Sequence, residues 1–343
     1  MLWVWVGFVA FVLVMLGLDL GVAHRREHAV RAREAIGWTS LCVALALAFA
    51  AIVYAIYEHQ WLGFGTGAGA PKDGLDAAKK YLLGWMVEYA LSVDNLFIFS
   101  VIFTYFRVPP AHQHRVLFWG ILGALVMRGA MIAGGAALIH HFHWTIYIFG
   151  GLLIITAVRL LFTNPETVDP SKNIVLRSAR RFFPFTPSYH GSRFLIREGG
   201  RLIGTPLLLV LLVVEATDVV FAVDSIPAIF AITTDPFLVF TSNVFAILGL
   251  RSLYFALAAV IDRFRYLKPS LVVMLAYIGV KMLLSEVAPI PTDVSLAVVG
   301  GVLSVGIAAS ILATSIEKRR EIRPDTDQRR RRPPPADRAD SRD

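Results

Sequence analysis

Across 343 residues there is one cysteine, Cys42. A single thiol excludes an intramolecular disulfide and any cysteine-based metal cluster. Charge is scarce as well: 17% of residues are Asp, Glu, Lys or Arg, against about 25% in an average soluble domain. Hydrophobic residues reach 56% and mean hydropathy is +0.63. These values exclude an ordinary soluble domain and predict an all-α polytopic membrane protein. The Gly/Ala-rich run from Gly63 to Gly74 lacks the strand and helix that flank a phosphate-binding loop. Without a nucleotide motif, neither an ATP-driven pump nor a hydrolase is expected. No catalytic residue and no cofactor is nominated. The net charge of +8 does not call for nucleic acid, because much of it lies in loops and a tail, where membrane proteins keep positive charge. No basic segment precedes the apolar start Met1-Leu2-Trp3-Val4-Trp5, so a retained first span is expected, not a signal peptide.

Nine apolar stretches are present, over 2–22, 37–57, 81–105, 116–139, 144–162, 206–232, 238–260, 269–288 and 293–315. The odd-numbered connections are basic. The first carries Arg25, Arg26, Arg31 and Arg33; the third has Arg107 and Arg115; the long fifth has Lys172, Arg177, Arg180, Arg181, Arg193, Arg197 and Arg201. Among the even-numbered connections, His140-His141-Phe142-His143, Thr233-Thr234-Asp235-Pro236 and the segment Ala288 to Asp293 have no Lys or Arg, while the second, 58–80, has Lys72, Lys79 and Lys80 partly balanced by Asp73 and Asp76. Positive charge concentrates on the cytoplasmic side, which predicts an external N-terminus and a cytoplasmic C-terminus.

Three carboxylates interrupt the sixth stretch: Glu215, Asp218 and Asp224, followed by Ser225 and Pro227. Each costs on the order of 2.5–3.5 kcal/mol at the centre of a spanning helix, so intramembrane acids usually serve a function. Pro227 is expected to kink or break the helix beside Asp224 and so let all three carboxylates converge; on an unbroken helix the site would instead be spread along a path. The third stretch repeats the pattern. Glu88 matches Asp218, Asp94 matches Asp224 and Asn95 matches Ser225, each at an offset of 130 residues. The two stretches would cross in opposite senses, as in inverted-repeat transporters with a midplane site. On that reading Asp94 and Asp224 meet around one ion. The all-oxygen set suits Mg, Ca or Mn and argues against zinc or copper. Carboxylates can also exchange protons, which makes cation/proton antiport available. Asn243 could complete the site. The competing reading pairs these acids with Arg128, Arg159, Arg251 or Lys281, because buried charges in membranes pair.

The resulting division is two N-terminal helices (1–57), a first three-helix repeat (81–162), a basic cytoplasmic linker with a short interfacial helix (163–205), a second inverted repeat (206–288), a final helix (293–315) and a disordered Arg/Pro-rich tail (316–343).

Several of these segments resemble the TerC/Alx family of integral membrane proteins, within the LysE-like exporters. The resemblance rests on Val87-Glu88 through Val93-Asp94-Asn95 and on Glu215-Ala216-Thr217-Asp218 through Asp224-Ser225-Ile226-Pro227-Ala228. Thr241-Ser242-Asn243 through Gly249-Leu250-Arg251, Tyr277 through Met282, and Leu18-Asp19-Leu20 also fit. It implies a multi-pass bacterial inner-membrane protein tied to manganese efflux and tellurium resistance. The expected partners are the lipid bilayer, a transported Mn2+ or Ca2+ and, in principle, a second copy of the chain. Ca2+/proton exchange and a membrane assembly or metalation role without direct transport are the alternatives.

Overall fold

In the computed structural model the described residues are 2–24, 32–66, 70–162, 174–258 and 266–322. They form eleven α-helices and one small hairpin. The helices are α1 (Leu2–His24), α2 (Ala32–Glu58), α3 (Gly74–Tyr105), α4 (Pro110–His141), α5 (Thr145–Phe162), α6 (Ile174–Phe182), α7 (Pro206–Phe230), α8 (Pro236–Leu248), α9 (Leu250–Ala258), α10 (Leu267–Leu283) and α11 (Thr292–Ile322). Strands β1 (Leu195–Glu198) and β2 (Arg201–Gly204) make the hairpin.

The helix starts follow from local chemistry. Pro110, Pro206 and Pro236 occupy the first turns of α4, α7 and α8, where a missing N–H costs nothing. Asp73 caps α3 by accepting from the Asp76 amide at 2.7 Å. Asp235 caps α8 by accepting from the amides of Phe237 and Leu238. Its second oxygen accepts from the Tyr57 hydroxyl at 2.8 Å, which ties α2 to the same corner.

Seven helical segments are long and apolar enough to cross a membrane: Glu34–Glu58, Gly74–Tyr105, Pro110–His141, Thr145–Phe162, Pro206–Phe230, Pro236–Phe255 and Thr292–Ala313. The polytopic all-α architecture is therefore present. Helix α10 has 17 residues, and the apolar part of α1, Trp3–Leu18, is also shorter than a full span. One span is central. In Pro236–Phe255 88% of the most apolar stretch is buried inside the protein, against 22% in Thr145–Phe162 and Thr292–Ala313, whose surfaces are left for lipid.

Two corrections to the expected layout concern helix breaks. Helix α7 runs without interruption through Pro227 to Phe230. The proline lies in the last turn, packed among buried Ile226, Ala228, Ile229 and Phe230, and its carbonyl still accepts from the Ala231 amide at 3.0 Å. Neighbouring helices can hold a proline turn in place, as they do in other membrane proteins. The interruption lies in the next span, at Gly249 between α8 and α9. The segment 163–205 also holds more than a linker. Helix α6 exposes Arg177, Arg180 and Arg181 while Leu176 is buried in the core, and the hairpin follows. The hairpin turn uses Gly199 and Gly200 at φ 57° and 79°, backbone angles that a two-residue type I′ turn needs and glycine supplies. Helix α11 continues to Ile322, beyond the expected end of the last span. The rest of the tail lies outside the described residues, as do 163–173.

Connections gather at two ends. At one, Gly74 donates to Glu58 at 2.9 Å, Lys79 pairs with Asp293 at 2.5 Å, Thr292 donates to Asp76, and His143 lies 3.6 Å from Glu286. At the other, the Tyr189 hydroxyl donates to the Phe106 carbonyl at 2.8 Å, Arg115 donates to Ser192 at 2.8 Å, and Thr205 donates to the Arg193 carbonyl at 2.7 Å. This second end holds the C-terminus of α3 and the N-termini of α4 and α7. Helices α4 and α7 therefore run in one direction and α3 in the other.

Candidate functional site

Helices α3, α4, α7 and α8 pack together, and their mutual contact buries Arg128 of α4, which is 1% exposed. Its guanidinium grips Asp218 of α7 through two bonds of 3.0 Å, Nε to Oδ2 and Nη2 to Oδ1. Its Nη1 pairs with Glu88 Oε1 of α3. The same nitrogen lies 3.4 Å from Ser225 Oγ and 3.3 Å from Asn243 Oδ1 of α8. Ser92, one turn below Glu88, donates to the same Oε1 at 3.3 Å. Four helices thus meet on one cation. Glu88 and Asp218, the first matched positions of the two acidic patterns, are both its partners.

The cluster is not saturated. Glu88 Oε2, Glu215 Oε2 and Asn243 Nδ2 are buried without a hydrogen-bond partner. Buried polar atoms are nearly always bonded, so each such orphan calls for an explanation. Glu215 lies one helical turn before Asp218 and is within reach of its charge. Its carboxylate occupies the space over Gly123 of α4, where a Cβ would overlap it. The absence of a side chain at Gly123 lets the acid lie against the backbone. Two acids thus bond one guanidinium, and a third acid lies one turn from Asp218.

The second matched positions have a different fate. Asp94 and Asp224 are half-buried. Asp224 accepts from Thr156 of α5 at 2.8 Å and feels the charge of Arg159. Asp94 feels the charge of Lys268 at the start of α10. Each lies six residues beyond its partner acid, about 9 Å along the axis at 1.5 Å per residue. Because α3 and α7 are antiparallel and Glu88 and Asp218 share Arg128, those displacements point in opposite directions. Asp94 and Asp224 are separated by about 18 Å along the helices. They do not meet around one ion, which corrects the expected pairing. Nor does α7 bend to bring Glu215, Asp218 and Asp224 together. Among the described residues no three Asp, Glu, His or Cys side chains converge at metal-binding distance.

Asn95 is buried on α3, with no hydrogen bond to the Arg128 cluster. Lys281 lies away from it, in the field of Asp76 and Lys80 at the opposite end of α3. The side chain of Arg251 lies outside the described residues. The sequence reading missed Ser92 and Thr156. Both are small hydroxyls within spans, and Ser92 stands at i+4 from Glu88, a spacing that places it on the same face.

A family model described as the integral membrane protein TerC family matches residues 74–321, which include both acidic patterns. The chain is similar to an uncharacterized membrane protein of Myxococcus xanthus, at 50% identity over 90% of this chain and 92% of the relative. It is 44% identical to a Salmonella typhi protein named "Putative membrane-bound redox modulator Alx", over 88% and 91% of the two chains. An uncharacterized membrane protein of Rickettsia bellii is 37% identical over 92% and 99%. No solved structure matches.

Proposed function

The chain belongs to the TerC family of integral membrane proteins, and from that premise we propose that it exports divalent metal cations, Mn2+ foremost, across the bacterial inner membrane. The observation that carries this reading is the surplus of buried acid. Glu88 and Asp218 both pair with Arg128 at the meeting of antiparallel helices, and a third acid, Glu215, lies one turn from Asp218. A structural ion pair needs one carboxylate for one guanidinium. Acids in excess of cations, within spans, mark an ion pathway. Asp94 and Asp224 extend the line of oxygen ligands from the cluster toward the two ends. A cation entering at one end would meet Asp94, the central acids and then Asp224.

Nine spans with an external N-terminus form the proposed topology, supported by arginines of 174–204 gathering at one end of the bundle. The inverted repeat is supported by the packing. Exchanging α3 with α7, α4 with α8 and α5 with α10 turns the α3–α8 contact into α7–α4, and turns α5–α7 into α10–α3. Each of these four pairs is in contact. Coupling is to protons, which carboxylates can carry, since no nucleotide motif is present.

The competing reading draws on the Arg128 bonds themselves: the acidic spans form a structural core, and any metal or tellurium phenotype is indirect. Metal flux into proteoliposomes decides between them, with Mn2+ as the carried ion and Ca2+ and Mg2+ as competitors. Saturable Mn2+ flux that acid substitutions remove supports export, and preferential Ca2+ flux replaces Mn2+ with Ca2+ exchange. An inert protein that accumulates normally overturns the transport reading. The redox modulation in the name of the Salmonella relative has no dithiol to work through in this chain, whose one cysteine, Cys42, is buried. A redox effect would follow from metal supply.

A further inference from the structure

We infer that Arg128 is a tethered stand-in for the transported cation: a divalent ion binds by displacing its guanidinium from Glu88 and Asp218 onto Glu215. This rests on the transport reading and specifies how its central site works. Three features point to it. Arg128 already occupies the acids that a cation would use, bonding both oxygens of Asp218 and one of Glu88. The fully buried Glu88 retains a second oxygen with no partner, and the buried Asn243 turns its Oδ1, an oxygen that a cation could also use, toward Arg128 at 3.3 Å. The third is Glu215. It is not bonded to Arg128, yet it is half-buried with an orphaned oxygen beside α4, the helix that carries Arg128.

The geometry makes the transfer short. Helices α4 and α7 run in the same direction, and Glu215 precedes Asp218 by three residues, about 4.5 Å along the axis. Side chains on a helix lean toward its N-terminus, so the Arg128 stem already points toward the level of Gly123 and Glu215. Releasing Asp218 and engaging Glu215 moves the guanidinium by about one turn, within the freedom of a four-torsion side chain. Charge balance then closes. A divalent ion with Glu88 and Asp218 is neutral, and Arg128 with Glu215 is neutral. Without Glu215 the displaced guanidinium would be a buried charge with no counter-ion, which is strongly unfavourable. The arrangement also favours release, because the returning guanidinium competes for the ligands that hold the metal.

Mn2+ binding to the purified full-length protein in detergent, followed by loss of the free-ion paramagnetic resonance signal, tests this with three variants. Glu215→Gln strands the displaced guanidinium and weakens binding tenfold or more. Arg128→Met removes the competitor and tightens binding relative to wild type. The double variant Arg128→Met with Glu215→Gln decides the matter, because its two remaining acids match one divalent ion. It binds at least as tightly as wild type if Glu215 serves only the guanidinium. Binding as weak as Glu215→Gln alone makes Glu215 an ordinary metal ligand and overturns the inference, while wild-type Mn2+ flux leaves the transport reading standing. Should Arg128→Met fail to accumulate, Arg128→Gln takes its place. Its amide can still hydrogen-bond the acids but carries no charge to strand, so Arg128→Gln restores binding to Glu215→Gln. No restoration overturns the inference. Wild-type protein that binds no Mn2+ removes both readings together.

Discussion

Glu88 and Asp218 form one region of the molecule, and Asp94 and Asp224 form another, although the same short pattern supplies both. In each pattern an acid is followed six residues later by an aspartate. The first pair shares a guanidinium that is 1% exposed, in a buried junction of four helices. The second pair is half-buried, about 18 Å apart along the helices, and partnered by a threonine and by distant charge. Antiparallel packing brings together only the positions at the crossing level. Positions beyond that level diverge. A repeated pattern therefore makes one shared site and two separate flanking ones.

The sharpest way to break this contrast is to remove an acid from each region. Asp218→Ala removes both fork bonds to Arg128 and leaves it on Glu88, a loss of charge-assisted bonding of about 1.5–3 kcal/mol. We expect membrane abundance and thermal stability of the purified protein to fall together with export. Asp94→Asn and Asp224→Asn are expected to abolish Mn2+ export at normal abundance, because neither acid is locked into a buried ion pair. If either loses abundance as Asp218→Ala does, the two regions are energetically alike and the distinction fails.

Smaller changes sharpen it. Gly123→Ala places a methyl group where the Glu215 carboxylate lies; overpacking of this kind costs about 1–3 kcal/mol. The acid must turn away, and a partial loss of Mn2+ affinity with intact abundance is the expected result. Wild-type affinity would show that the position of Glu215 is immaterial. Thr156→Val removes the 2.8 Å bond to Asp224, worth about 1 kcal/mol. The expected effect is a several-fold drop in export with only a small fall in thermal stability. A drop as large as that of Asp224→Asn would make Thr156 a pathway residue in its own right.

Much of this was legible in the residues. Apolar runs gave the spans, because a bilayer demands about 20 apolar residues per helix. The sixth apolar run began at Pro206, where α7 starts, and the offset of 130 residues matched Glu88 to Asp218. The Gly199-Gly200 turn between Leu195-Ile196 and Leu202-Ile203 was also readable as a hairpin, but the arginines around it suggested a linker. Pro227 misled in the opposite way. A proline argues for a break only where nothing holds the turn, and packing around Ile226 to Phe230 holds it.

By itself the sequence determined the class of the protein, the order of its helices and the six acidic and amide residues set within spans, since burial in lipid makes each of these costly to misplace. Tertiary structure alone decided which of them meet. Helix direction and crossing level placed Glu88 and Asp218 on Arg128 and sent Asp94 and Asp224 toward opposite ends. Such choices depend on contacts between residues 40 to 115 positions apart, such as Arg128 with Glu88 and with Asn243, and no local pattern encodes them.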